Sequence, residues 1–254
     1  SLIFMANLSM VDKQFFKDNG YLIKRSVLSG DQVEAARNSL WSGIDADRDD
    51  PSTWVAAGPR VPCSGSDPAI NATVNESPVF SMMEEMVGHD QLQSGVPGPH
   101  LVFPSGDDQW SEPKHGHLDG YYTPTNGVPE GTVGYMTLNV TIYVEDIAPR
   151  GGCFTVFPGT HKMAHEYFKT KSLLSVRGGS SQEIWSDEEM PKAVEFTGNR
   201  GDVCFWHGQM VHSGTKNVNE NIRMALIGRF RRKDSSDICF ETPEDMWKYW
   251  EGIQ

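Results

Sequence analysis

At 254 residues the chain is long enough for one sizeable core, and a β barrel with flanking helices reaches that length without a second, so a single domain over 1–254 is expected. A formal net charge of −12 and a pI near 5.1 repel phosphate backbones and anionic lipid, which removes nucleic acid and membrane surfaces as partners. Cys63, Cys153, Cys204 and Cys239 are widely spaced with no CxxC pair, so they indicate neither a zinc ribbon nor a disulfide framework and suit a reducing, cytoplasmic setting. The opening SLIFMANLSM is too short to cross a bilayer and lacks the basic start of a signal peptide.

Ser9 with Asp12 three residues on is a capping-box pattern and Asn19-Gly20 a stop, so a short helix is expected between them. YLIKRSV, Tyr21 to Val27, reads as a strand. Ser29 and Gln32 repeat the capping pattern ahead of a helix whose Val33, Ala36, Leu40 and Ile44 share one face. From Asp45 to Asn75 the cluster DADRDD and recurrent Pro, Gly and Ser predict a long irregular stretch, either a lid or a plain surface excursion. Val79 to Val87 reads as one more helix and completes a helical N-terminal part over about 9–90. After Gly88, short β-rich runs punctuated by Gly, Pro and Asn predict a β core over about 91–240.

Within that core, Tyr135 to Glu145 alternates strictly: Met136, Leu138, Val140, Ile142 and Val144 point one way, and Thr137, Asn139, Thr141, Tyr143 and Glu145 the other. The polar face meets either solvent or the inside of a polar pocket. KHGHLDGYY then supplies His117 and Asp119 two residues apart, so on an extended segment both side chains project from one face and can share an ion. Iron(II) that activates oxygen takes two imidazoles and a carboxylate on one face of its octahedron, which leaves the opposite positions open. The second imidazole has two sources, His207 and His212, in GDVCFWHGQMVHSG. His212 is preferred because Arg223 follows eleven residues later, across a turn TKNVNEN that would fold the two strands into a hairpin. There a guanidinium could meet a carboxylate bidentately. His115 lies two residues before His117 and competes with Asp119; three imidazoles would suit zinc or copper and a hydrolase instead. His100, His161 and His165 read as structural.

Taken in order, DKQFFKDNGYLIKRSVLSGDQVEAARNSL, HLD, GGCFTVFPGTHK and GDVCFWHGQMVHSGTKNVNENIR resemble the phytanoyl-CoA dioxygenase (PhyH) family of iron(II)/2-oxoglutarate oxygenases over nearly the whole chain. The resemblance implies a mainly β fold with flanking helices, a double-stranded β-helix or jelly roll, with the polar face of the alternating strand turned inward. It implies that His117, Asp119 and His212 hold iron(II) and that Arg223 holds the far carboxylate of 2-oxoglutarate. Thr141 falls where family members place a residue beside the co-substrate, commonly tryptophan. Asn139 and Thr141 are thus candidates to hydrogen-bond its carboxylates.

The implied reaction uses O2 and 2-oxoglutarate, releases succinate and CO2, and hydroxylates an unactivated C–H bond of a small molecule, a specialised metabolite in preference to a CoA thioester. Desaturation, cyclisation or rearrangement by the same machinery is the alternative, and a cupin-like metal-binding module without turnover is a second. Tyr121, Tyr122, Phe103 and Trp206 are candidate pocket walls. Arg229, Arg231, Arg232 and Lys233 form either a solvated face or an anion site. Met163 to Lys192 is a candidate lid.

Overall fold

The computed structural model describes residues 6–120, 138–170, 179–238 and 241–254. Helix α1 (Met10–Asn19) has the reciprocal Ser9–Asp12 capping box and ends at Gly20, whose φ of 82° is the left-handed conformation expected of a glycine stop. Strand β1 (Tyr21–Lys24) is shorter than the sequence suggested. The chain turns at Ser26, which takes φ 53° while its backbone N–H donates to the buried Asp202 carboxylate at 2.8 Å. Helix α2 (Gly30–Ser42) buries Val33, Ala36 and Leu40 as the spacing required. Its capping box is one-sided: Ser29 accepts from the Gln32 backbone, but the Gln32 side chain donates to the Glu76 carbonyl instead.

The stretch 45–75 is not irregular throughout. Helix α3 (Pro68–Asn75) occupies its end, started by Asp67, which accepts from the Ala69 N–H at 2.9 Å, and by Pro68 in the first turn. Helix α4 (Val79–Val87) matches its predicted bounds and buries Val79, Met82, Met83, Met86 and Val87.

Two antiparallel sheets follow. The larger has the order β1-β6-β3-β8-β2, with β2 (Gly98–Val102), β3 (Leu138–Tyr143), β6 (Val203–His207) and β8 (Arg223–Phe230). The smaller has the order β5-β4-β7, with β4 (Thr155–Val156), β5 (Val194–Glu195) and β7 (His212–Ser213). Helix α5 (Thr160–Phe168), not foreseen in the sequence, packs its Ala164 and Phe168 with Leu118, Phe157 and Val211. A short α6 (Ser235–Ile238) follows β8.

The alternation of β3 decides what lies on each side of the large sheet. Leu138, Val140 and Ile142 join the core that includes residues of α1 to α4, while Tyr143 joins an inner cluster with Phe154, Phe196, Trp206 and Ala225. All six β3 residues are buried, so the polar face looks inward rather than to solvent. Residues 135–137 lie outside the described residues.

A third set of contacts fastens the end of the chain. Trp247 and Trp250 pack on Phe16, and the His207 ring stacks on Trp250 at 4.9 Å between centroids. His161 is wholly buried beside His207, and burial holds its pKa down to about 4 against an ordinary 6.5. His207 is lowered too, by burial and by its histidine neighbours. These rings are neutral when folded and take up a proton on unfolding below 6.5, so the unfolded state binds more protons there. Stability is therefore expected to fall as pH drops from about 6.5 to about 4, by roughly 3 kcal/mol from His161 alone. Denaturant unfolding at a series of pH values, compared with His161→Gln, would show it as a flatter slope in the variant.

Candidate metal centre

The HLD segment is placed by its middle residue. Leu118 is buried against Phe157, Ala164 and Val211, so His117 and Asp119 on either side of it project together in the opposite direction. His117 and His212 exchange two backbone hydrogen bonds, of 2.9 and 3.1 Å, and His117 also bridges Ser180. The segment thus runs along β7 as an added edge. Gly116 permits the close approach: a Cβ there would sit 2.3 Å from the His212 carbonyl oxygen.

His212 lies between Trp206 and Phe154, with ring centroids at 4.4 and 5.8 Å. Its Nδ1 is 3.0 Å from the Met210 carbonyl. Donation to that oxygen leaves Nε2 as the lone-pair nitrogen, and Nε2 is buried without a hydrogen-bond partner. Burial holds the His212 pKa down to about 4, which keeps the ring neutral near pH 7. Asp119 Oδ1 lies 3.6 Å from His212 Nε2, and Oδ2 accepts from Arg229 Nε at 3.0 Å. Burial alone would raise the Asp119 pKa, but the attraction of His212 once that ring is protonated, with the charge and hydrogen bond of Arg229, outweighs it and holds the carboxyl below its usual value. One donor atom from each of His117, Asp119 and His212 lies within 4.8 Å of the others. Two imidazoles and a carboxylate are a donor set that suits iron(II), and an orphaned, buried imidazole nitrogen is what an ion would satisfy.

The competing histidines are engaged elsewhere. His115 has Nδ1 2.8 Å from Ser181 Oγ and Nε2 2.8 Å from Asp187 Oδ1, so both nitrogens are taken. His207 belongs to the Trp247–Trp250 cluster; its Nε2 is also buried without a partner, but among the described residues it converges with no set of other metal-binding side chains. His161 packs in that same cluster, and His100 stands on β2 opposite Ala225 of the inner cluster; each has an unpartnered Nδ1.

Arg223 corrects one expectation. His212 and Arg223 do not form a hairpin: β7 pairs with β4 in the small sheet, whereas β8 pairs with β3 and β2 in the large one. The segment 214–222 carries the chain from one sheet to the other, past Asn217, whose amide donates to the Val102 and Asn221 carbonyls. Arg223 is 2% exposed; its Nη2 donates to the His100 carbonyl at 3.2 Å, and its Nε has no partner. Arg60, which no sequence pattern singles out, lies close enough to act electrostatically on both Arg223 and His100. No periodicity flags a lone arginine in a loop; only the tertiary contact does.

Between Arg223 and the metal end, β3 offers two polar groups. Thr141 Oγ1 accepts from Trp206 Nε1 at 3.1 Å, which leaves its own proton to donate. Asn139 is wholly buried with neither amide atom hydrogen-bonded. Trp206 forms part of the wall around His212, but Phe103 packs on the core of the other face. Tyr121 and Tyr122 lie outside the described residues, as do 171–178 of the candidate lid. The described part of that segment is tied down: Ser181 N–H donates to the Gly116 carbonyl, and Leu118 N–H to that of Gly179. The basic run divides: Arg232 is buried and held by Asp234 and the Tyr249 carbonyl, Arg231 and Lys233 are exposed, and Arg229 faces Asp119.

Among protein-family models, the one described as phytanoyl-CoA dioxygenase (PhyH) matches residues 16–225. The chain belongs to the phytanoyl-CoA dioxygenase (PhyH) family. This PhyH member is thereby an enzyme of the iron(II)/2-oxoglutarate-dependent dioxygenase class. It is 22% identical to the peroxisomal phytanoyl-CoA dioxygenase of Rattus norvegicus over 247 residues, which cover 89% of this chain and 69% of that one. Among solved structures it resembles the non-haem α-ketoglutarate-dependent carbocyclase SnoK from nogalamycin biosynthesis, with a TM-score of 0.57, 21% identity, and 88% and 84% of the two chains covered. It also resembles HygX from Streptomyces hygroscopicus, solved with nickel, 2-oxoglutarate and hygromycin B, at a TM-score of 0.53 and 16% identity over 89% and 88%. At such identities the structural likeness extends to the fold of this PhyH member, an antiparallel sheet with flanking helices. No helix among its described residues is long and apolar enough to cross a membrane.

Proposed function

We propose that the protein is a single-domain oxygenase that hydroxylates an unactivated C–H bond of a free small molecule, with His117, Asp119 and His212 as the ligands of iron(II). The observation that carries this is the convergence of those three side chains around the orphaned His212 Nε2. The two sheets are read as the halves of a double-stranded β-helix, with the site between their inner faces. When bound, iron(II) with 2-oxoglutarate and O2 supplies the oxidising chemistry, and 2-oxoglutarate is spent as succinate and CO2.

The chain's own residues bind and orient. Arg223, buried with a free Nε, takes the far carboxylate of 2-oxoglutarate, and Arg60 adds a second positive charge beside it. Thr141 donates its hydroxyl proton along the co-substrate, and Asn139, in register with Arg229, offers its amide nearer the metal. Trp206 and Phe154 keep water from His212 and fix its ring. A free small-molecule substrate is favoured because the SnoK and HygX names both refer to small natural products. SnoK's description as a carbocyclase also supports a second reading, ring closure by the same centre.

The test is spectroscopic. Anaerobic addition of iron(II) and 2-oxoglutarate is expected to give a weak metal-to-ligand charge-transfer band in the visible, followed by succinate formation on exposure to air. A metal-loaded protein without the band would sink the proposal.

A further inference from the structure

Asp119 is the ligand with a choice of two oxygens, and the protein has already made it. Strand β8 alternates so that Met224, Leu226 and Phe230 enter the core shared with the helices, while Ala225 belongs to the inner cluster and Arg223, Ile227 and Arg229 share its side. Arg229 is the last of these inward residues, level with Asn139 on β3. Its Nε donates to Asp119 Oδ2 at 3.0 Å, whereas Oδ1 is the oxygen turned to His212 Nε2, 3.6 Å away. The Asp119 side chain is 14% exposed and that of Arg229 39%, so the pair stands at the edge of the interior rather than out in solvent.

We propose that Arg229 is a positioning residue: it holds Oδ2 so that Asp119 presents Oδ1 alone to the metal. This rests on the reading of His117, Asp119 and His212 as the ligand set. Two effects compete. A guanidinium so near a divalent ion repels it, and removing the charge would tighten metal binding. Loss of the hydrogen bond frees the carboxylate to rotate, and partners of this kind typically contribute about 10- to 100-fold to metal affinity. Orientation outweighs repulsion here because the ligand oxygens must converge on one point, whereas the guanidinium charge is half exposed and screened. The rest of the basic run takes no part: Arg231 is exposed and Arg232 is held by Asp234.

The experiment measures cobalt(II) affinity of the full chain by chelator competition, without 2-oxoglutarate, together with the visible spectrum of the bound cobalt. The proteins are wild type, Arg229→Met, Arg229→Ala and the control Arg231→Met, each first checked for thermal unfolding without metal. Arg229→Met is expected to bind about 10- to 100-fold more weakly with an altered spectrum. Arg231→Met is expected to match wild type, and methylguanidinium to restore affinity to Arg229→Ala. Affinity in Arg229→Met equal to or tighter than wild type, or weakening in Arg229→Ala that methylguanidinium leaves untouched, would overturn the positioning role while the ligand set stands. A folded wild type that binds no cobalt would overturn both.

Discussion

His212→Ala is expected to abolish stoichiometric iron(II) binding and to lower succinate formation by about 1000-fold or more. A Lewis-acidic metal contributes several kcal/mol to the reaction it supports, and each 1.36 kcal/mol is about a factor of ten in rate. The His212 ring is the most enclosed of the three proposed ligands, and its Nε2 has no protein partner, so alanine removes a donor that nothing nearby replaces. His207→Ala separates ligation from folding. That ring is equally buried but sits among Trp247, Trp250 and Phe16. Its loss is expected to cost about 2–4 kcal/mol of stability and to leave metal affinity unchanged. Metal analysis and urea unfolding of the two variants should therefore give opposite patterns. Iron retained in His212→Ala and lost in folded His207→Ala would reverse the assignment.

Arg223→Met should raise the KM for 2-oxoglutarate by roughly 30- to 3000-fold, with iron(II) binding in its absence unchanged. Truncating one partner of a buried charge pair typically costs about 2–5 kcal/mol, and each 1.4 kcal/mol is about a factor of ten in affinity. Arg223 is a stringent case because burial already penalises its charge, and it has few compensating bonds. In the ligand-free protein the same change should be neutral or stabilising, since methionine fills the space without burying a charge. A substitution that stabilises the empty protein and cripples co-substrate binding is the behaviour of a binding residue. Steady-state kinetics at varied 2-oxoglutarate, with thermal unfolding of the ligand-free chain, would test both halves; an unchanged KM rules the anchor out.

Much of this site was legible because its signals are local. An i, i+2 pair on an extended segment needs no tertiary knowledge to put His117 and Asp119 on one face; that Leu118 between them is buried on the opposite side is a product of the fold. Helices α1, α2 and α4 were equally visible through Ser9, Ser29 and their apolar spacing. What failed was long-range pairing. The stretch from His212 to Arg223 carries turn residues that fit a hairpin, and nothing local reveals that β7 and β8 join different sheets. Helix α3 was hidden by the Pro, Gly and Ser around it, although Asp67-Pro68 is a sound helix start. Helix α5 follows a Pro-Gly turn within a β-rich region, and its Thr160 and His161 gave no helical signal. Arg60 and the Arg229–Asp119 bond are products of folding alone.

The Arg229–Asp119 bond also has a mechanical side. Arg229 rises from the large sheet, while Asp119 lies on the segment edged to the small one, so the bond is a strut that joins the two sheets. His117 and His212 are strapped to each other by their backbones on the small-sheet side. Opening between the sheets would load the Arg229–Asp119 bond first, while His117 and His212, joined by their own backbone hydrogen bonds, would move together. A change in the spacing of the two sheets would thus be felt first at one carboxylate oxygen of Asp119.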